Sequence, residues 1–309
     1  VDHCGGERMN FLATYVMRSR SSAILVAAVT AVLSLLIPPV SYLSGAVAGL
    51  VTLRHGAREG LILIAIAGLL VAIPGLVTGN SGVAIIFGAV VWMPVWVLAV
   101  VLRQTVSLPV TILVAALFGV LCVVMIHALL ADPAAWWRDK LTALQPILEQ
   151  GGWAASDMES LLGMLANAMT AMLAAAVMIT PLISLFIARW WQALLYNPGG
   201  WQKEFHQLRL PAALAGVAAL IVLIAWFAGG GLQHFAADLL MVVLLLYLLQ
   251  GLSVIHNLVH GKGMSVAWLV GLYVLLLVLP QVAMLVAGLG FTDTWVDYRS
   301  RFAAKEGQG

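Results

Sequence analysis

The chain has 309 residues, 63% of them hydrophobic and only 9% charged, with a formal net charge of +2. Soluble domains carry roughly 25% charged residues. No soluble fold hides this much apolar surface, so the composition excludes a water-soluble protein and points to a chain that crosses a bilayer repeatedly. The small net charge and the absence of a long basic cluster argue against nucleic acid as a partner.

In chain order, residues 1–10 are polar and include Met9, a second potential start; Arg18 and Arg20 lead into an apolar run that simply continues, so no signal peptide is expected. Residues 22–53 hold about two short spans' worth of apolar chain, broken at Pro38-Pro39, and read as helices at 22–37 and 40–53. A basic turn, Arg54, His55 and Arg58, precedes a third span at 60–77. Asn80-Ser81-Gly82 reads as a tight turn, followed by spans at 83–102 and 108–131. In 132–160, Trp136, Trp137, Leu141, Leu144 and Leu148 fall at helical spacing beside Arg138, Asp139 and Lys140, the pattern of a helix lying at headgroup level. Ser156-Asp157-Met158-Glu159 has the form of a capping box opening a sixth span that runs to about Trp191. Further spans are expected at 212–227, 238–259 and 266–289.

The fold class expected from this pattern is all-α, a polytopic transmembrane helical bundle of about eight or nine spans with short interfacial amphipathic helices. Its parts are an N-terminal tail (1–21), a first transmembrane half (22–131), an interfacial segment (132–160), a second half (161–291) with an interfacial loop at 192–210, and a C-terminal tail (292–309). In the interfacial loop, Asn197-Pro198-Gly199-Gly200 is turn chemistry, and Trp201, Phe205, Leu208 and Leu210 alternate with polar residues as on a short surface helix. Arg8, Arg18, Arg20, Arg54, Arg58, Arg103, Arg189, Lys203, Arg209 and Lys262 fall on one side when the N-terminus is cytoplasmic, and the positive-inside rule favours that orientation in a bacterial inner membrane.

Small residues repeat every four positions at Ala23, Ala27 and Ala31, at Ser41, Gly45 and Gly49, and at Gly163, Asn167, Ala171 and Ala175. Such stripes let helices approach closely, either within the chain or against a partner subunit. Gln250, Ser253, His256, Asn257 and His260 share one face of the eighth apolar segment. Polar groups at that depth pair across helices, line a cavity or chelate; His256 and His260 lack a carboxylate or third ligand nearby, so no metal is expected. The two cysteines, Cys4 and Cys122, fall in a polar tail and an apolar run, without metal-ligand neighbours.

The absences carry as much. No Asp or Glu occurs in 61–131 or in 160–203, Asp238 falls at the edge of a span, and His127 stands alone in its own. A carrier driven by protons or many ions needs a membrane carboxylate, so self-powered transport is disfavoured. There is no GxxxxGK[ST] loop, no HExxH and no GxSxG. Neither an ATPase, an enzyme nor a cofactor is expected.

Several separated pieces carry a resemblance: Pro38-Pro39 with Tyr42-Leu43, Leu53-Arg54-His55-Gly56, Asn197-Pro198-Gly199-Gly200-Trp201 with Glu204-Phe205 and Leu208-Arg209-Leu210, Gln250 to His256, and Asp293-Thr294-Trp295-Val296-Asp297-Tyr298-Arg299. In this order the chain resembles the YybS-like family of predicted bacterial membrane proteins. That family is distantly similar to the substrate-binding S components of energy-coupling-factor vitamin transporters, which bind a small molecule and are powered by separate ATPase subunits. The resemblance implies that Ala23, Ala27 and Ala31 match the stripe that contacts a coupling subunit there, although an S component has six spans rather than eight or nine. It supplies no substrate and no catalytic residues.

The expectation is therefore a substrate-binding or permease-like subunit of a small-molecule transport system, its cavity lined by Asn167, Gln250, Ser253, His256 and Asn257. The competing expectation is a scaffold that recruits transport or envelope partners through Ala23, Ala27, Ala31, Trp201, Phe205 and Arg209. Lipid is the one partner both readings require.

Overall fold

A computed structural model describes residues 3–77, 85 and 87–301, the side chains of 3–10 and 74–77 apart. The α-helices are α1 (His3–Arg18), α2 (Arg20–Leu33), α3 (Ser41–His55), α4 (Ala57–Val77), α5 (Met93–Thr105), α6 (Leu108–Leu129), α7 (Pro133–Leu141), α8 (Gln145–Gln150), α9 (Ala155–Tyr196), α10 (Gly200–His206), α11 (Ala213–Phe227), α12 (Gly230–Gly261), α13 (Ala267–Val278) and α14 (Pro280–Val296). Among the described residues there is no strand. The turn expected at Asn80-Ser81-Gly82 lies outside the described residues.

Among the described residues, four helical stretches are long and apolar enough to cross a membrane: Phe87–Thr105, Leu108–Leu129, Ala155–Tyr196 and Gly230–Gly261. Arg20–Leu33, Ala213–Phe227 and Ala267–Val278 are apolar but shorter. Among the described residues, length and composition thus give four spans with shorter apolar helices, where the sequence suggested eight or nine. Large apolar side chains stand exposed along these helices, among them Leu117, Leu121 and Met125 on α6 and Leu220, Leu223 and Phe227 on α11. A surface of this kind is stable only against lipid.

Several expected boundaries move, each for a local reason. Residues 266–289 form two helices rather than one, because Pro280 disfavours helical backbone at the residue before it; Leu279 adopts φ −124°, ψ 92°. Residues 292–296, expected in the C-terminal tail, continue α14, and much of the expected N-terminal tail is α1. The Ser156–Glu159 pattern does not cap α9: the backbone N–H groups of Asp157 and Met158 donate to Ala154 O at 3.1 and 3.0 Å, so the box sits inside the first turn. α9 runs on through Pro181 to 42 residues. Pro94 lacks the N–H that would bond Val90, and the preceding Phe87–Trp92 adopts a π-helical turn that takes up the defect.

The chain divides into two compact units, Val1–Ala115 with Ile179–Leu208, and Ala116–Met178 with Arg209–Gly309. In the first unit the buried alanines of α2 pack on α3, where Ser44 Oγ donates to Ala27 O at 2.8 Å and accepts from Trp92 Nε1 at 3.0 Å. Gly45 and Gly49 of α3 let Ser184 and Ala188 of α9 approach so closely that a Cβ would fall 2.6 Å from Ser184 Oγ and 2.9 Å from Ala188 Cβ. Gly56, at φ 104°, turns the chain from α3 into α4 in a conformation that favours glycine. Arg103 donates to Leu53 O at 2.6 Å, answering one of the carbonyls left open at the end of α3.

In the second unit α12 packs against α11 and α14. Gly251 of α12 lies on the Val286 carbonyl of α14, and Gly290 of α14 lies on the Tyr247 carbonyl and the Gly251 amide of α12. The two backbones are in contact with no room for a Cβ at either position.

Gly290→Ala forces backbone against backbone and is expected to cost at least ~1–3 kcal/mol. Gly288→Ala, two residues away where a Cβ meets open space, is expected to be neutral or to stabilise by ~0.5–1 kcal/mol through helix propensity. Thermal unfolding of the two variants in detergent checks the difference.

Candidate functional site

The residues expected to line a cavity separate into different roles. Gln250 is fully buried. Its Oε1 accepts from Leu210 N at 2.9 Å, and its Nε2 donates to Gly290 O at 2.9 Å and to Asp293 Oδ2 at 3.3 Å. One amide therefore ties the chain before α11 to α12 and α14. Asp293, also fully buried, further accepts from Tyr298 N at 3.1 Å and from Arg299 at 3.3 Å. Ser253 is buried, and Asn257 is half-buried. His256 Nδ1 donates to Leu252 O at 2.8 Å within its own helix, which leaves Nε2 to accept from Tyr273 Oη at 3.4 Å. Asn167 donates to Gly163 O at 2.9 Å in its own helix. Gln250 and His256 thus join helices, while Asn167 bonds within its own.

The residues expected to dock a partner are covered in part by the chain itself. Ala23, Ala27 and Ala31 are buried against the first unit's own helices. Trp201 and Phe205, one turn apart on α10, pack on Phe186 with ring centroids 5.0 and 6.3 Å away. Glu204, between them, takes a two-pronged contact from Arg189, Nε to Oε2 at 2.9 Å and Nη2 to Oε1. This fork fixes the short helix to α9. The short helix expected after the NPGG turn is present, with Gly199 at φ 79° ahead of it. Arg209, half exposed, pairs with Asp297 at 3.0 Å.

A hollow lies elsewhere, in the first unit at the break between α1 and α2. Its volume is about 510 Å³, within the roughly 300–1,000 Å³ of small-molecule sites. Arg18, Ser19, Arg20, His55 and Glu59 form its polar end, and Val16, Ile24, Ile62, Leu63 and Ile66 its apolar wall. Arg20 donates to Glu59 Oε1 at 2.6 Å. Ser19, in extended backbone, accepts from Ser22 N at 3.1 Å and so caps α2, whose N-terminus adds positive potential there. Two guanidiniums and an imidazole thus face one carboxylate. In the sequence, Arg18 and Arg20 bear on orientation and on the N-terminal apolar run, not on a binding site. The signal available was a basic pair beside a helix break, followed some forty residues on by His55 and Glu59.

A second arrangement also escaped the sequence. His127 Nε2 lies 2.7 Å from Asp238 Oδ2, two residues that are far apart in the chain. α12 begins at Gly230, so Asp238 stands two turns inside the helix rather than at its start, and it is only 7% exposed. Among the described residues no three His, Cys, Asp or Glu side chains gather as a metal site.

Long apolar helices, lipid-facing side chains and polar groups satisfied inside the protein define an all-α integral membrane protein. Residues 23–294 match the family described as predicted membrane protein (DUF2232), the YybS-like family, and the chain belongs to it. Comparison with curated proteins and comparison with solved structures each give no match.

Gln250→Leu strands the Leu210 N–H and removes a donor from Asp293, at ~1–3 kcal/mol for each buried group left unsatisfied; a lowered unfolding midpoint in detergent is the readout. For Asp297, burial works to raise the pKa, but hydrogen bonds from Arg209 and Ser300 outweigh it and hold the carboxyl below its usual range. The stability this adds is fully present above the unfolded carboxylate pKa of about 3.9 and is lost as pH falls through the lowered folded value. Arg209→Gln is therefore expected to lower stability above about pH 5 and to flatten its loss below that, the two proteins converging in acid, measured by unfolding across an acid series.

Proposed function

We propose that this protein is a substrate-binding, permease-like membrane subunit whose ligand is a small anionic amphiphile. The observation that supports the reading is the hollow at the α1–α2 break, where a cationic end adjoins an apolar wall. A phosphate or carboxylate headgroup matches Arg18, Arg20 and His55, and an acyl or prenyl chain matches Ile24, Ile62 and Ile66. The chain carries no nucleotide-binding loop, so movement of the ligand falls to separate ATPase subunits. The distribution of Arg and Lys favours an N-terminus on the cytoplasmic face of a bacterial inner membrane.

The scaffold reading is the second choice. Its alanine stripe is buried, and its two aromatic residues rest on Phe186. It draws on exposed groups such as Arg209 and Lys203.

Dodecyl phosphate added to the protein in an uncharged detergent is expected to raise the unfolding midpoint, by an amount equivalent to ~2.7 kcal/mol at a hundredfold excess over Kd. Ile62→Trp, which fills the hollow, and the double variant Arg18→Gln with Arg20→Gln are expected to abolish the shift. An equal shift in the variants, or in wild type with dodecyltrimethylammonium, contradicts the proposal.

A further inference from the structure

We propose that His127 and Asp238 form a proton-binding site inside the apolar helices, exchanging with the aqueous phase through His234. The site is separate from the hollow of the first unit and does not depend on the ligand reading. Two observations carry it: the 2.7 Å contact between His127 Nε2 and Asp238 Oδ2, and the burial of a carboxylate two turns inside a helix long and apolar enough to span.

A lone ion at such a position is costly, so the pair holds one proton between nitrogen and oxygen and is neutral as a unit. When a second proton arrives, Asp238 becomes a neutral carboxyl beside the His127 imidazolium, and the site carries one positive charge. Release of that proton restores the shared hydrogen bond. No oxidant, reductant or co-reactant enters this step.

The surroundings favour the pair as the exchanging unit. Phe235 packs edge-on against the His127 ring, with centroids 5.3 Å apart, and shields that side from water. His234 lies one turn earlier on α12, exposed, on the same side as Asp238. In the proposed exchange it is the group that meets water first. From the other elements of this unit, α11 brings no titratable side chain, and residues 161–178 of α9 bring none. α6 adds only the Cys122 thiol besides His127. On α7, Arg138 reaches Gly163, and Lys140 pairs with Asp139 at 2.9 Å. On α14, Asp293 is held at Gln250, about 18 Å along α12 from Asp238.

Infrared difference spectroscopy on the full chain in lipid, with carbon-13 aspartate as label, tests this between about pH 5 and about pH 8. A protonated-carboxyl band is expected to appear on acidification, to vanish in Asp238→Asn, and to change its midpoint in His127→Gln. His234→Phe is expected to keep the band but to slow its response to a pH jump at least about tenfold. The labelled wild type keeps the test decisive where a variant fails to fold. A carboxyl band that ignores pH, or one that survives Asp238→Asn, overturns the site; an unchanged midpoint in His127→Gln overturns the sharing of the proton.

Discussion

Lipid offers no hydrogen bonds, so each polar side chain that an apolar helix carries inward has to find its partner within the protein. Gln250 meets that constraint three times over. Its amide engages Leu210, Gly290 and Asp293 at once, and Asp293 in turn engages Tyr298 and Arg299. α12, α14 and the chain entering α11 are thereby locked in one register, because a slip of any one of them leaves a buried donor or acceptor empty. The same rule places Ser44 between Ala27 and Trp92 in the first unit.

Close approach is the second half of that arrangement. The amide of Gln250 reaches the Gly290 carbonyl because Gly251 and Gly290 let two backbones touch. Gly45 and Gly49 do the same for α3 and α9. In a bilayer there is no hydrophobic force between helices, so contact area and interhelical hydrogen bonds hold them together. Small residues and buried polar residues belong to one device.

Sequence range decides how much of this was legible. Helical class, the membrane environment, the short helix after Asn197-Pro198-Gly199-Gly200 and the small-residue stripes are local patterns, and they read directly from composition, period and turn chemistry. The break at Leu279 was also local, yet the apolar run through Pro280 outweighed the proline in the reading. The number of spans was not legible, since helices such as α2 and α13 are apolar but too short to decide the matter by length. Helical spacing places Gln250 to Asn257 on one face, but whether such a face meets water, ligand or a neighbouring helix depends on what folds against it. His127 and Asp238 lie on different helices, and Asp238 gave no sign of its depth until the start of α12 moved back to Gly230. The idea that the apolar interior holds almost no acid therefore needs amendment: it holds at least Asp238 and Asp293, each paired.

The hollow beside Arg18 and Arg20 remains the place where charge and apolar wall meet without being consumed by helix packing. Native mass spectrometry of protein released gently from its own membrane addresses that point most directly. The account predicts one anionic amphiphile retained per chain, absent from the Ile62→Trp variant. Retention of zwitterionic lipid alone, or of the same anionic species by both proteins, would contradict it.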